Sequence, residues 1–316
     1  MKSRAGFCFK PDVDCGLIFH HHAAANSRRS RVAISYLNGE FIPLDQARIS
    51  PLDRGFLFGD GIYEFIAYYS GRPVGFAQHI ERLFLGLQSI GIESPLSKDD
   101  WRIHCDRLLQ ENNTSTGGVY IQVSRGADTK RSHGFPEGVA PTVFIMLLDM
   151  PSGEDLSEKR DKGLRVISEE DRRWRNCDIK STSLLGNILH FQHAVSGGCD
   201  ETLLFNTDGE LTEGAVSNVF VVIDGEVLTP KLDRQKLAGI NRQIILDVLR
   251  AETNIPVGEA VVTLEQAHNA DEIWFSNSAV GIIPVVELDG KSVSQGRPGP
   301  IFQQVETLFE VAKLGY

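Results

Sequence analysis

The chain has 316 residues, 41% hydrophobic and 23% charged, which suits one large or two modest domains around a sizeable core. A net charge of -10 and a pI near 5.4 argue against a general nucleic-acid binder, which needs a basic face to neutralise phosphates. No apolar run approaches the ~20 residues of a membrane span, so a soluble protein with no membrane partner is expected.

The first 31 residues mix basic side chains, cysteines and Ala23-Ala24-Ala25 without periodicity, and they lack the long apolar core of a secretory signal. They are expected to be a disordered N-terminal extension. Their run His20-His21-His22 has no partner ligands nearby and reads as a solvated tail, so no metal is expected. The five cysteines, at positions 8, 15, 105, 177 and 199, are odd in number and contain no Cys-x-x-Cys pair. That pattern disfavours a disulfide framework or a zinc site and fits a reducing cytoplasm.

Ordered structure is predicted to begin at 32–37, where apolar residues alternate, and to turn at Asn38-Gly39 into Glu40-Phe41-Ile42. A second hairpin is predicted over 63–69, through Ser70-Gly71, into 73–76. Helical spacing follows at Ile80, Leu83, Phe84, Leu87 and Ile90, and again over 101–109. Strands are predicted at 119–123 and 143–148. Polar residues 149–162, with Pro151, Ser152 and Gly153, show no apolar period and make the best linker candidate. Beyond them the pattern predicts strands at 164–167, 202–205, 218–222, 273–275 and 282–286, and helices at 184–194, 242–251 and 301–312. Asp208-Gly209, Asp224-Gly225 and Asp289-Gly290 mark turns. Periodicity alone gives an α+β chain in two parts: a small α+β domain at 32–149, a linker at 150–162 and a larger domain at 163–316.

Four blocks carry chemistry. Lys180 stands in Arg175-Asn176-Cys177-Asp178-Ile179-Lys180-Ser181-Thr182-Ser183-Leu184-Leu185-Gly186, and Glu213 in Leu211-Thr212-Glu213-Gly214-Ala215-Val216-Ser217-Asn218. A lysine can condense with an aldehyde to a Schiff base, and a carboxylate can hold a pyridine nitrogen protonated. Pyridoxal phosphate (PLP) needs both. Each segment alone is weak, since most lysines are solvated and most Thr-Glu-Gly triplets are turns. Together with Phe58-Gly59-Asp60-Gly61-Ile62-Tyr63-Glu64 and His79-Ile80-Glu81-Arg82-Leu83, the chain from about Val32 onward resembles the fold-type IV PLP enzymes. That group includes D-amino acid aminotransferases, branched-chain aminotransferases and aminodeoxychorismate lyase.

The resemblance implies a two-domain fold with a small α/β domain and a larger, barrel-like cofactor-binding domain with helices. It makes Lys180 the Schiff-base lysine and proton shuttle, Glu213 the partner of the ring nitrogen, and Arg82 a phosphate ligand. It also adds Ile240, Asn241 and Ser278 as phosphate contacts. The chemistry is suitable: a guanidinium fork makes two charge-assisted bonds to a dianion, and backbone N–H groups at a helix start attract anions. The loop Arg131-Ser132-His133, with Tyr63, matches the carboxylate-binding set of D-amino acid aminotransferases, in which that loop reaches in from the other subunit of a homodimer. Tyr63 stands where branched-chain enzymes usually carry phenylalanine. Asn277-Ser278 and Ile282-Ile283-Pro284-Val285 are shared with lyase-like members, which usually lack Arg131-x-His133. The expected function is PLP-dependent transfer of an amino group from a D-amino acid to a 2-oxo acid. Lyase, branched-chain and non-catalytic PLP-binding readings are the alternatives.

Overall fold

The computed structural model describes residues 32–316; the N-terminal extension, with its expected disorder and its histidine run, lies outside the described residues. In chain order the first half contains β1 Ile34–Leu37, β2 Glu40–Pro43, α1 Arg54–Phe58, β3 Gly61–Tyr69 and β4 Arg72–Pro73. It continues through α2 Phe76–Ser89, α3 Lys98–Glu111, β5 Gly117–Ser124 and β6 Thr142–Leu148. The strands form one sheet in the order β2-β1-β6-β5-β3-β4. Asn38 and Gly39 both take positive φ, so Leu37 pairs with Glu40 across a two-residue turn whose twist suits the flanking strands. Ile80, Leu83 and Leu87 of α2, with Trp101, Cys105 and Leu108 of α3, bury against Ile62, Ile66, Val119 and Ile121 of the sheet.

The expected hairpin after Tyr69 is shorter than its apolar run suggested. Strand β4 stops at Pro73, Gly75 turns at φ 60°, and Phe76 already opens α2. The expected linker also differs, since Gly153–Lys162 forms a helix, α4. Ser152 and Asp155 cap its start reciprocally, acidic residues fill its first turn, and Lys159, Arg160 and Lys162 fill its last. Leu156 is its single buried residue, which explains why no apolar period announced it.

The second half contains β7 Leu164–Glu170, α5 Leu185–Ser196, β8 Glu201–Phe205, β9 Leu211–Gly214, β10 Asn218–Ile223 and β11 Glu226–Pro230. Then follow α6 Ile240–Glu252, β12 Val257–Ala260, α7 Leu264–His268, β13 Glu272–Asn277, β14 Gly281–Leu288, β15 Lys291–Ser292 and α8 Pro300–Ala312. The sheet runs β12-β11-β10-β13-β14-β7-β8-β9, with β15 beside β14. Its two ends curl toward each other. The N–H of Leu211 in β9 donates to Val262 O at 2.7 Å, just beyond β12, and Glu210 bridges to Thr263.

Strand alternation supplies both faces of this curl. Val219, Val221, Ile273, Phe275, Ile283 and Val285 fill the inside with Leu203 and Leu211. Phe220, Val222, Trp274 and Ile282 face outward and are covered by α6 and α8 through Ile244, Ile245, Phe302 and Phe309. Ala67 and Val74 of the first half join that second cluster, so the two sheets share buried apolar contact. A polar cleft lies at the seam between them, lined by Tyr63 and Arg82 from the first half and Lys180 and Glu213 from the second.

Candidate active site

Lys180 is placed by strand-like pairing with the start of β3. Tyr63 N–H donates to Lys180 O at 3.0 Å, Thr182 N–H donates to Gly61 O at 3.0 Å, and Ile62 bridges to Ser181. This brings Lys180 Nζ to 3.2 Å from the Tyr63 hydroxyl. Both side chains line a cleft of about 750 Å³ that also receives Arg82, Glu213, Ile240, Asn241 and Ser278. Gly59 makes the close approach possible. It sits at φ 66° with Ser183 against it, so an added Cβ would strike the Ser183 hydroxyl.

Glu213, 5% exposed, lines the cleft from β9. Its Oε1 accepts from Arg173 Nη1 at 2.6 Å, and its Oε2 accepts from Leu237 N–H at 3.0 Å and Asn218 Nδ2 at 3.1 Å. A carboxylate offers about four acceptor sites, so these three donors leave room for one more. Burial pushes the Glu213 carboxyl above its ordinary range, while the Arg173 charge pulls the other way. Arg173 is held charged, its guanidinium raised by its carboxylate partners against the cost of burial. Asp171 fixes its fork through bonds of 3.0 and 2.8 Å, and Thr212 Oγ1 donates to Asp171 at 2.8 Å. Sequence reasoning missed Arg173: its run of basic residues has no period, and its partner lies forty positions away.

From Leu237 the chain turns through Ala238 and Gly239 into α6, whose N-cap Gly239 has no side chain to satisfy the first N–H groups. The Ser276 hydroxyl also lines the cleft, is buried, and has no hydrogen-bond partner among the described residues. Asn241 Nδ2 donates to Asn277 O at 2.7 Å, and Asn277 Oδ1 accepts from Ala279 N–H and Val280 N–H at 3.0 Å each, shaping the turn that carries Ser278. Arg82 arrives from α2. Its Nε and Nη2 grip Glu64 at 2.7 and 2.8 Å, and Nη1 donates to Ala238 O at 2.7 Å. Glu64 is fully buried and also accepts from His79 at 2.7 Å. Although burial opposes it, Arg82 and His79 hold the Glu64 carboxyl well below the usual carboxylate range. Three of the five Arg82 donors are thereby used to fix its position, and the others remain for an anion.

These groups fit pyridoxal phosphate. An uncapped helix start, an orphaned buried hydroxyl and a fixed guanidinium suit its phosphate, and a buried carboxylate with an open acceptor site suits its ring nitrogen. The Lys180 amine lines the same cleft. Arg131 and His133 are not among the side chains lining this cleft. They are exposed and pack on Phe58, with the Arg131 guanidinium 4.9 Å and the His133 ring 5.4 Å from its ring centroid. The structure thus brings together seven of the expected residues within one chain and leaves these two outside.

Residues 61–288 match the family model described as Amino-transferase class IV. The D-alanine aminotransferase of Staphylococcus epidermidis is 36% identical over 275 residues, covering 87% of this chain and 96% of that relative. The D-alanine aminotransferase of Listeria innocua is 37% identical over 275 residues, covering 86% and 93%. The fold is similar to that of the Escherichia coli branched-chain amino acid aminotransferase, with a TM-score of 0.84 at 24% identity over 90% of this chain and 96% of that one. On the extent of these matches, the chain belongs to the class IV aminotransferases.

Proposed function

We propose that this enzyme moves an amino group from a D-amino acid to a 2-oxo acid, with pyridoxal 5′-phosphate as cofactor and with Lys180 as the reacting amine. The observation that carries this reading is Lys180 Nζ beside the Tyr63 hydroxyl, in one cleft with the buried carboxylate of Glu213 and the open start of α6. The D-alanine aminotransferases that match most of the chain support the choice of D-substrates.

When bound, pyridoxal phosphate supplies an aldehyde that condenses with amines and a ring that draws electrons from the substrate α-carbon. Lys180 Nζ would take the proton from the substrate α-carbon, and the Tyr63 hydroxyl, 3.2 Å away, orients that amine. Glu213 holds the proton on the ring nitrogen. Burial works against the ionised carboxylate this needs, the Arg173 charge works for it, and Arg173, Leu237 N–H and Asn218 keep its oxygens aimed. Arg82, the N–H groups of Ile240 and Asn241, and Ser278 would hold the phosphate, with Ser276 as a further donor.

Arg131 and His133 lie outside their own cleft, which favours a homodimer in which each chain lends them to the other's site as donors for the substrate carboxylate. Leu185, Ile188 and Leu189 leave an exposed apolar stripe along α5, and Phe56 and Phe135 are exposed as well, as a subunit contact requires. No described helix is long and apolar enough to cross a membrane. With the cysteine pattern, a cytoplasmic location follows as part of this reading.

A half-reaction screen of paired D- and L-amino acids, read by the change in cofactor absorbance, tests the reading. D-alanine should react, and 2-oxoglutarate or pyruvate should reverse the change. Preference for L-valine or L-leucine over every D-amino acid would make this a branched-chain enzyme. Pyruvate release from aminodeoxychorismate without transamination would make it a lyase. Bound cofactor with neither reaction would leave a binding protein.

A further inference from the structure

The loop carrying Arg131 and His133 belongs to no helix or strand, yet one buried side chain holds it. Arg54, 4% exposed, opens α1 behind the N-cap Asp53. Its Nη1 donates to Ser132 O at 2.5 Å and Gly134 O at 3.2 Å, and its Nη2 donates to His133 O at 3.3 Å. Three successive loop carbonyls therefore converge on one guanidinium. Its remaining edge is fixed by Asp60, which accepts from Arg54 Nε at 2.7 Å.

Asp60 is shared. Arg125 binds it through Nε at 2.8 Å and Nη2 at 3.0 Å, and reaches the carbonyls of Ile90 at 2.6 Å and Gly91 at 3.2 Å. The Phe135 ring lies over Arg125 at 3.6 Å, closing the far side of the loop. Phe58, at the end of α1, packs beneath the Arg54, Arg131 and His133 side chains. Both arginines hold the Asp60 carboxyl below its usual range against the opposing effect of burial. The assembly is a two-arginine clasp on one carboxylate, with the loop bound to its outer half.

We propose that Arg54 is a positioning residue for substrate recognition: by gathering the carbonyls of Ser132, His133 and Gly134 it fixes Arg131 and His133 as a paired donor set for the α-carboxylate of the substrate. The proposal rests on the reading of Arg131 and His133 as carboxylate donors. Arg54 touches no substrate. A fork is required, because one lysine ammonium cannot reach Asp60 and three carbonyls together. In its absence the exposed loop samples other conformations, and fixing it again on binding weakens affinity for any carboxylate.

The test compares holoenzymes of the wild type, Arg54→Met, Arg54→Lys and Arg131→Ala. It reads kcat and KM for D-alanine, inhibition by propionate as a bare carboxylate probe, and the half-reaction with an amine lacking a carboxylate. Cofactor content and Tm are read alongside. Arg54→Met should raise KM and the propionate inhibition constant roughly tenfold or more, the loss of one charged hydrogen bond or greater. Reaction with the carboxylate-free amine should change far less, and Arg54→Lys should fall between. Wild-type KM in Arg54→Met, when Arg131→Ala raises it, overturns the proposal and leaves the carboxylate reading intact. Equal loss for amine and amino acid also overturns it, because the role is then structural. If Arg131→Ala itself keeps wild-type KM, the carboxylate reading has failed and the proposal falls with it. Should Arg54→Met not fold, Arg54→Lys decides, and a wild-type propionate constant there rejects the proposal.

Discussion

Replacing Glu213 by glutamine keeps the side-chain shape and removes its charge. In the native site Oε1 faces Arg173, and Oε2 faces Leu237 N–H and Asn218 Nδ2, so every neighbour is a donor. A glutamine amide must therefore turn its NH₂ toward one of them. Turned toward Leu237 and Asn218, it leaves the Leu237 N–H unpaired, at about 1–3 kcal/mol, and sets its NH₂ against the Asn218 amide, which keeps only its bond to Leu237 O. Turned toward Arg173, it loses one charged bond of about 1.5–3 kcal/mol, and Arg173 still keeps Asp171. The second orientation should prevail, and the protein should fold and retain cofactor. In the reaction the neutral amide no longer favours a proton on the ring nitrogen. Losing that charge-assisted bond should slow α-proton removal roughly ten- to more than a hundredfold. Stopped-flow absorbance of the half-reaction with D-alanine, at verified cofactor content, measures the step. A wild-type rate with an unchanged cofactor spectrum would remove Glu213 as the ring's partner.

Arg82→Ala should weaken cofactor binding at least tenfold and also destabilise the protein. It leaves the buried Glu64 carboxylate with His79 alone, and breaking a buried pair costs about 3–5 kcal/mol. Equilibrium titration with pyridoxal phosphate checks the first part, and an unchanged Kd would move the phosphate site elsewhere. Glu201 makes a separate pH prediction. It is buried with no cation paired to it among the described residues, accepting from Thr202 N–H, Ala215 N–H and Ser217 Oγ, and burial pushes its carboxyl from 4.5 to about 7. A raised folded value favours the fold below pH 4.5, and that contribution is lost as pH rises through 7. Between pH 4.5 and 8, Glu201→Gln should therefore gain roughly 3 kcal/mol on the wild type in urea unfolding. Parallel stability curves would show that Glu201 does not titrate there.

Much of this arrangement was legible in the residues. Asn38-Gly39, Ser70-Gly71, Asp224-Gly225 and Asp289-Gly290 each take positive φ at both positions and close two-residue hairpins, because the side-chain chemistry of those pairs permits it. The apolar period of α2 placed Arg82 correctly on a helix. What stayed hidden was set by distant partners. The strand of Glu213 is only four residues long and pairs with β8, so locally it reads as the far side of a turn. Helix α4 owes its place to caps and to Arg160, which donates to Ile282 O and pairs with Glu306 and Glu310 of α8. Arg173 and Arg54 look like ordinary basic residues until the fold brings Glu213 and the 132–134 carbonyls to them.

Every proposed role in the cleft depends on Lys180 being the amine that carries the cofactor. Reduction of the holoenzyme with borohydride, followed by proteolysis and mass mapping, reads that directly. A pyridoxyl label on Lys180 is the predicted result, at about one per chain as a single reacting amine requires. A label on another lysine, or cofactor lost intact on unfolding after reduction, would contradict it.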